Sequence, residues 1–170
     1  MFRKGLVFLV MPALILSLLF SGATASAAFA DDGVPPAPTP EPVVIRQGGP
    51  VIHDELAVPS RGSLLPAAAP IRRGWTDAFW VWYPVWVWTH NGSHNSQSDL
   101  VENNIWADGN LTIKGVVVSS CSKHTSGQYA QCGTSKTLYE KLSFTAKSWH
   151  FFHKTGYADT SFTTAKTLNP

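Results

Sequence analysis

The side chains able to do chemistry in this chain are six histidines, seven tryptophans, two cysteines and a sparse set of carboxylates. Four tryptophans, Trp80, Trp82, Trp86 and Trp88, fall in the run from Phe79 to Trp88. In one extended strand these four point the same way, with Pro84 among them, while Phe79, Val81, Tyr83, Val85 and Val87 point the other way. Indoles about 6.6 Å apart on one face can stack on successive sugar rings, and they can equally fill a core. Tryptophan and tyrosine also favour a lipid interface. A strand apolar on both faces lacks the alternation of a membrane-spanning strand, however, which leaves surface contact as the only membrane role. The polar run from His90 to Asp99 follows directly and reads as a loop beside the indoles. Trp80, Trp82, Trp86, Trp88, His90 and His94 are therefore the candidate ligand-binding residues.

Cys121 and Cys132 are the only cysteines. In an exported chain an even count reads as a disulfide, here closing the loop from Ser122 to Gln131. A metal site is not expected. His124 lies three residues after Cys121, but the set with His150 and His153 matches no zinc spacing. His150 and His153, three apart, would face opposite sides of a strand. No cofactor is implied. Enzyme signatures such as Gly-x-Ser-x-Gly and His-Glu-x-x-His are absent from the sequence. Among carboxylates, Asp99 with Glu140 is one pair that a secreted glycoside hydrolase could use, although sequence spacing does not give their separation in space.

These residues must be positioned by a small domain. The 170 residues begin with Arg3 and Lys4, an apolar run from Leu6 to Phe20, and small residues ending at Ala28-Phe29-Ala30. That is the pattern of a cleaved export signal over 1–30. From Asp31 to Arg73 there is no Phe, Tyr or Trp, and nine of the twelve prolines lie here. The segment reads as a largely disordered linker or pro-segment, extended by its prolines. Within it, Val43-Val44-Ile45 and Val51-Ile52 are short enough to add an edge strand. Arg72-Arg73, at the composition change, is a potential processing site. From Gly74 to Pro170 come sixteen aromatics and a Thr, Ser and Val background. This predicts a mainly β domain, an antiparallel sandwich or barrel of about five to seven strands. Asp108-Gly109 reads as a hairpin turn, and Thr134 to Ser148 as one half-buried strand with Leu138, Leu142, Phe144 and Ala146 on its inner face.

The formal charge of +2 belongs to Arg3 and Lys4; residues 31–170 carry eleven cations and eleven anions. All seven cations after residue 73 are Lys. A neutral domain without Arg is not a nucleic-acid binder, and neutral glycans suit it better than phosphate-rich ligands. The expected function is a secreted or extracytoplasmic, non-catalytic binding module for a glycan or an envelope component. The alternatives are an antimicrobial or toxin-like protein released at Arg72-Arg73, and a hydrolase without a recognisable motif.

Overall fold

The computed structural model describes residues 40–62 and 69–170. The segment expected to be an export signal and most of the proline run lie outside these residues. Seven antiparallel strands and no helix make up the described chain: β1 (Val43–Arg46), β2 (Val51–Leu56), β3 (Ile71–Tyr83), β4 (Val87–Ile113), β5 (Val116–Leu138), β6 (Phe144–His153) and β7 (Thr160–Leu168). They form one sheet ordered β1-β3-β4-β6-β7, with β2 sharing the β3 edge with β1, and β5 paired to β4.

The two long strands decide the architecture. The first half of β4 pairs with β3 and with the second half of β5. The second half of β4 pairs with β6 and with the first half of β5. Between them the ladder loses register at Gln97–Glu102 and again at Glu102–Ile105. Such irregularities bend a strand and increase its twist, so the β4–β5 ribbon curls. The inner face of β3 is thereby brought against β6 and β7, where Thr76 meets Ser148 and Thr164. The expected mainly β, antiparallel class holds. The form is neither two separate sheets nor a closed barrel but a single sheet curled into a half-barrel.

Apolar side chains fill the two ends of the curl. At the open end Ala78, Trp80, Leu111, Ile113, Phe144, Ala146 and Leu168 form one cluster. Near the bend Ile105, Ala107, Ala130 and Phe152 form another. Between the clusters the core is polar.

Several sequence expectations are corrected by this arrangement. Phe79 to Trp88 is not one strand, because Pro84, Val85 and Trp86 form a tight turn in which Tyr83 pairs with Val87. Proline supplies the fixed φ that such a turn starts with, and Trp86 closes it in the left-handed region at φ 64°. His90 to Asp99 is not a loop but part of β4, and Cys121 to Cys132 lies within β5. Thr134 to Ser148 is interrupted between Leu138 and Phe144, so it belongs to two strands. Asp108-Gly109 is no turn. The hairpin between β4 and β5 uses Lys114-Gly115 instead, with φ 51° and 79°, as a two-residue turn with both φ positive requires. The ordered sheet also reaches back beyond Gly74: the Val43 and Val51 patches are strands, and β3 starts at Ile71.

Arg72 is correspondingly not at a solvated boundary. It is fully buried and bidentate to Glu102, while Arg73 pairs with Asp54. A protease would have to extract both from a strand paired on each side, so Arg72-Arg73 is not an accessible cleavage site in the fold.

The disulfide between Cys121 and Cys132 is present, with the Cα atoms 5.9 Å apart. Cys121 stands opposite Gly109 and Cys132 opposite His94, so the bridge ties the two limbs of the curled β5 together. Gly109 and His94 approach each other closely across the curl. A Cβ on Gly109 would fall inside the His94 ring, and the glycine serves this close approach rather than a turn. Gly109→Ala should therefore cost about 1–3 kcal/mol, read as a lowered melting temperature with unchanged far-UV dichroism.

Candidate functional site

The six residues singled out from the sequence do not share a face. Trp80 is fully buried, edge-on to Phe144 at 5.6 Å, with its indole N–H donating to the Leu142 carbonyl at 3.3 Å. Trp82 and Trp88 are half-buried partners across the β3–β4 ladder, with ring centroids 6.4 Å apart. Trp86 stands at the turn and is 78% exposed. His90 and His94 are both buried. In the folded state Trp80, His90 and His94 have no surface from which to touch a ligand.

Their partners show what the histidines do. The Leu142 N–H donates to His90 Nε2 at 3.1 Å, so the ring proton lies on Nδ1 and is given to the Lys136 carbonyl at 3.3 Å. Burial lowers the His90 pKa, opposed by the bond to the Lys136 carbonyl. His94 is hydrogen-bonded through Nδ1 to Ser148 Oγ at 2.7 Å and through Nε2 to Thr134 Oγ1 at 3.0 Å. Ser148 continues to Thr76, Thr76 to Thr164 at 2.6 Å, and Thr164 to His150 Nε2 at 2.8 Å. His150 Nδ1 then meets Ser96 Oγ at 2.8 Å, and Ser96 donates to the Trp106 carbonyl at 2.6 Å. This chain of hydroxyls and imidazoles crosses the centre of the half-barrel. Among the described residues no buried side-chain nitrogen or oxygen lacks a partner. Burial pushes both His94 and His150 down to about pKa 4, helped at His150 by repulsion from His94 and His53. A Ser–His contact sealed from solvent is a structural bond, not a nucleophile with its base.

The surface with chemistry to offer lies on the outer face of the sheet where the second half of β4 pairs with β6. Inward positions on β4 and β6 are Ile105, Ala107, Leu111 and Phe144, Ala146, Ser148, His150, Phe152. The alternate positions, Trp106 and Asp108 on β4 and Lys147, Trp149 and Phe151 on β6, must face out. Register places them in two rows. His124, Trp106, Phe151 and Ser161 run across β5, β4, β6 and β7; Ser122, Asp108, Trp149 and Thr163 run beside them. Trp106 lies between His124, stacked at 4.2 Å, and Phe151, tilted at 4.6 Å. Trp149 is 40% exposed, with the Lys147 ammonium 4.9 Å from its ring centre. Trp106, Asp108, Trp149, Phe151, Ser161 and Thr163, with His150 and Phe162, enclose a depression of about 500 Å³.

Asp108 is the polar anchor of this depression. Ser122 donates to its Oδ1 at 2.6 Å, and His124 Nε2 lies 2.8 Å from the same oxygen. The three do not form a relay. Ser122 and Asp108 meet the same imidazole nitrogen, whereas a Ser-His-Asp triad needs them on opposite nitrogens. Asp99 accepts the Ile71 N–H near the bend, whereas Glu140 follows Leu138 at the open end, so these carboxylates do not make a hydrolytic pair. Among the described residues no group of three or more His, Cys, Asp or Glu could hold a metal ion.

Sequence reasoning missed this face, although its signal was present. Continuing the Phe144/Ala146 alternation through β6 sends Trp149 and Phe151 outward with Lys147. His150 inside and the half-exposed His153 outside agree with their opposite-face spacing. Compared with protein-family models, with curated proteins and with solved structures, the chain matches none.

Proposed function

We propose that the protein is a secreted or cell-envelope, non-catalytic binding module that holds a neutral glycan in the depression over β4 and β6. The observation carrying this reading is the double row on the outer sheet face. One row is aromatic, and the other sets a carboxylate, a hydroxyl and an indole beside it. Sugar rings present apolar C–H faces and equatorial hydroxyls, so an indole takes the face while Asp108, Ser161 and Thr163 take hydroxyls. Trp149 offers the main stacking surface; Trp106, held between His124 and Phe151, forms the wall. An open depression on a rigid sheet suits a polymer passing across it better than a small molecule needing enclosure.

Export is part of the proposal. It is supported by the leader-like sequence over 1–30 and by the disulfide, which persists in oxidising compartments. No helix among the described residues is long and apolar enough to cross a membrane.

Co-sedimentation with insoluble peptidoglycan, chitin and cellulose tests the reading. The protein should be retained by at least one of these, and Trp149→Ala should weaken retention about tenfold or more. Asp108→Ala should weaken it in the same assay. Retention by none, or retention indifferent to both substitutions, contradicts the proposal.

A further inference from the structure

The open end of the half-barrel carries apolar side chains for which the fold has no use. Three connections meet there, because Tyr83 pairs with Val87, Leu138 with Trp88, and Ile113 with both Val116 and Phe144. They are the Pro84–Trp86 turn, the Lys114-Gly115 turn and the segment after Leu138. At their tips Val85 is 73% exposed, Trp86 78%, Tyr139 85% and Val116 63%. Trp86 is the most telling. Its φ of 64° lies where glycine and asparagine are favoured and a bulky aromatic is an outlier. The turn itself does not ask for tryptophan, and the core does not hold it.

The surroundings specify the occupant. Half-buried Trp82 and Trp88 stand behind the tip, and the Lys141 ammonium covers the buried Trp80 ring at 4.3 Å while lying 5.6 Å from the Trp88 ring centre. Lys114 and Lys136 flank the same end; the acidic residues there are Glu41 and Glu140. Valine and tryptophan furthest out, tyrosine beside them and three lysines against two glutamates behind is a composition that settles at a bilayer interface. Separate projecting tips also enter a headgroup layer more readily than they build the continuous flat contact of a protein interface.

We propose that this end of the protein docks on the surface of a lipid bilayer, with Val85 and Trp86 entering the headgroup layer and exposed Lys114 and Lys136 facing anionic lipid. The docking is peripheral, since turns of this length reach the interface and no further. It is independent of the glycan reading, which uses a different face.

Co-sedimentation of the full secreted chain with phosphatidylcholine vesicles, with and without phosphatidylglycerol, tests the proposal. Binding should be stronger with phosphatidylglycerol and accompanied by a blue shift of tryptophan emission. Trp86→Gly should weaken it about tenfold while raising the melting temperature, because glycine accepts the positive φ; Val85→Asp should weaken it too. The Trp86→Gly protein should keep its retention by polysaccharide, which separates the two readings. No binding to either vesicle, or full binding by Trp86→Gly, overturns the proposal.

Discussion

Lowering the pH from 6.5 to 4 should remove about 5 kcal/mol of folding stability, about 2.5 from each of His94 and His150. Burial holds both imidazoles near pKa 4 in the fold, against about 6.5 in the unfolded chain. Between these values the unfolded state binds protons that the folded state refuses. The free energy of unfolding therefore falls as pH falls, and the contribution is fully present only above pH 6.5. The bonds explain why the folded rings resist. Each has both nitrogens hydrogen-bonded to hydroxyls, three of which (Ser148, Thr164 and Ser96) are bonded onward, so a second ring proton displaces a donor and strands a buried charge. Since small domains hold about 5–15 kcal/mol in all, the fold should approach its unfolding threshold near pH 4. Denaturant unfolding at pH 7 and pH 4.5 checks this, and His94→Gln should flatten the slope by removing one titrating ring. Equal stability at the two pH values would show that the histidines are not buried as described.

Breaking the Arg72–Glu102 pair has the second largest expected effect. Both side chains are fully buried. Two guanidinium–carboxylate bonds of 2.9 and 3.0 Å join them, with Ala158 and Thr160 accepting from Arg72 and Ser98 donating to Glu102. Arg72→Met leaves a buried carboxylate without its cation and should cost about 3–5 kcal/mol. Removing both charges together, Arg72→Met with Glu102→Met, should cost much less, because no charge is then stranded. A double-mutant cycle by urea denaturation distinguishes this from additive losses. Additive costs would mean that the two residues act through packing alone.

These two networks also mark where the sequence stopped being legible. The β class, the disulfide, the Val43 and Val51 strands and the outward spacing of His153 from His150 follow from alternation and composition, which are local. The polar core does not. Thr76, His94, Ser148, His150 and Thr164 are far apart in the chain, and only the curl of β4 and β5 joins them. A histidine in a polar run then looks like loop chemistry when it is core. Gly109 misled for the same reason: beside Asp108 it resembles a turn, yet its lack of a Cβ is used by a ring fifteen positions earlier. The tryptophans were misassigned by one turn. Once Pro84 and Trp86 reverse the chain, Trp82 and Trp88 become cross-strand partners rather than members of one row. Trp106 and Trp149, unremarkable alone, are joined by the register of β4 and β6 into the face that carries the functional reading.

That reading rests on which indoles meet the ligand, and the seven tryptophan side-chain N–H resonances report it directly. Nitrogen–proton correlation spectra should be recorded while adding soluble oligosaccharides of the polysaccharide that retains the protein. The Trp106 and Trp149 indole signals should shift in a saturable way while buried Trp80 stays in place. Saturable shifts at Trp82, Trp86 and Trp88 with Trp106 and Trp149 unmoved would contradict the assignment of the site.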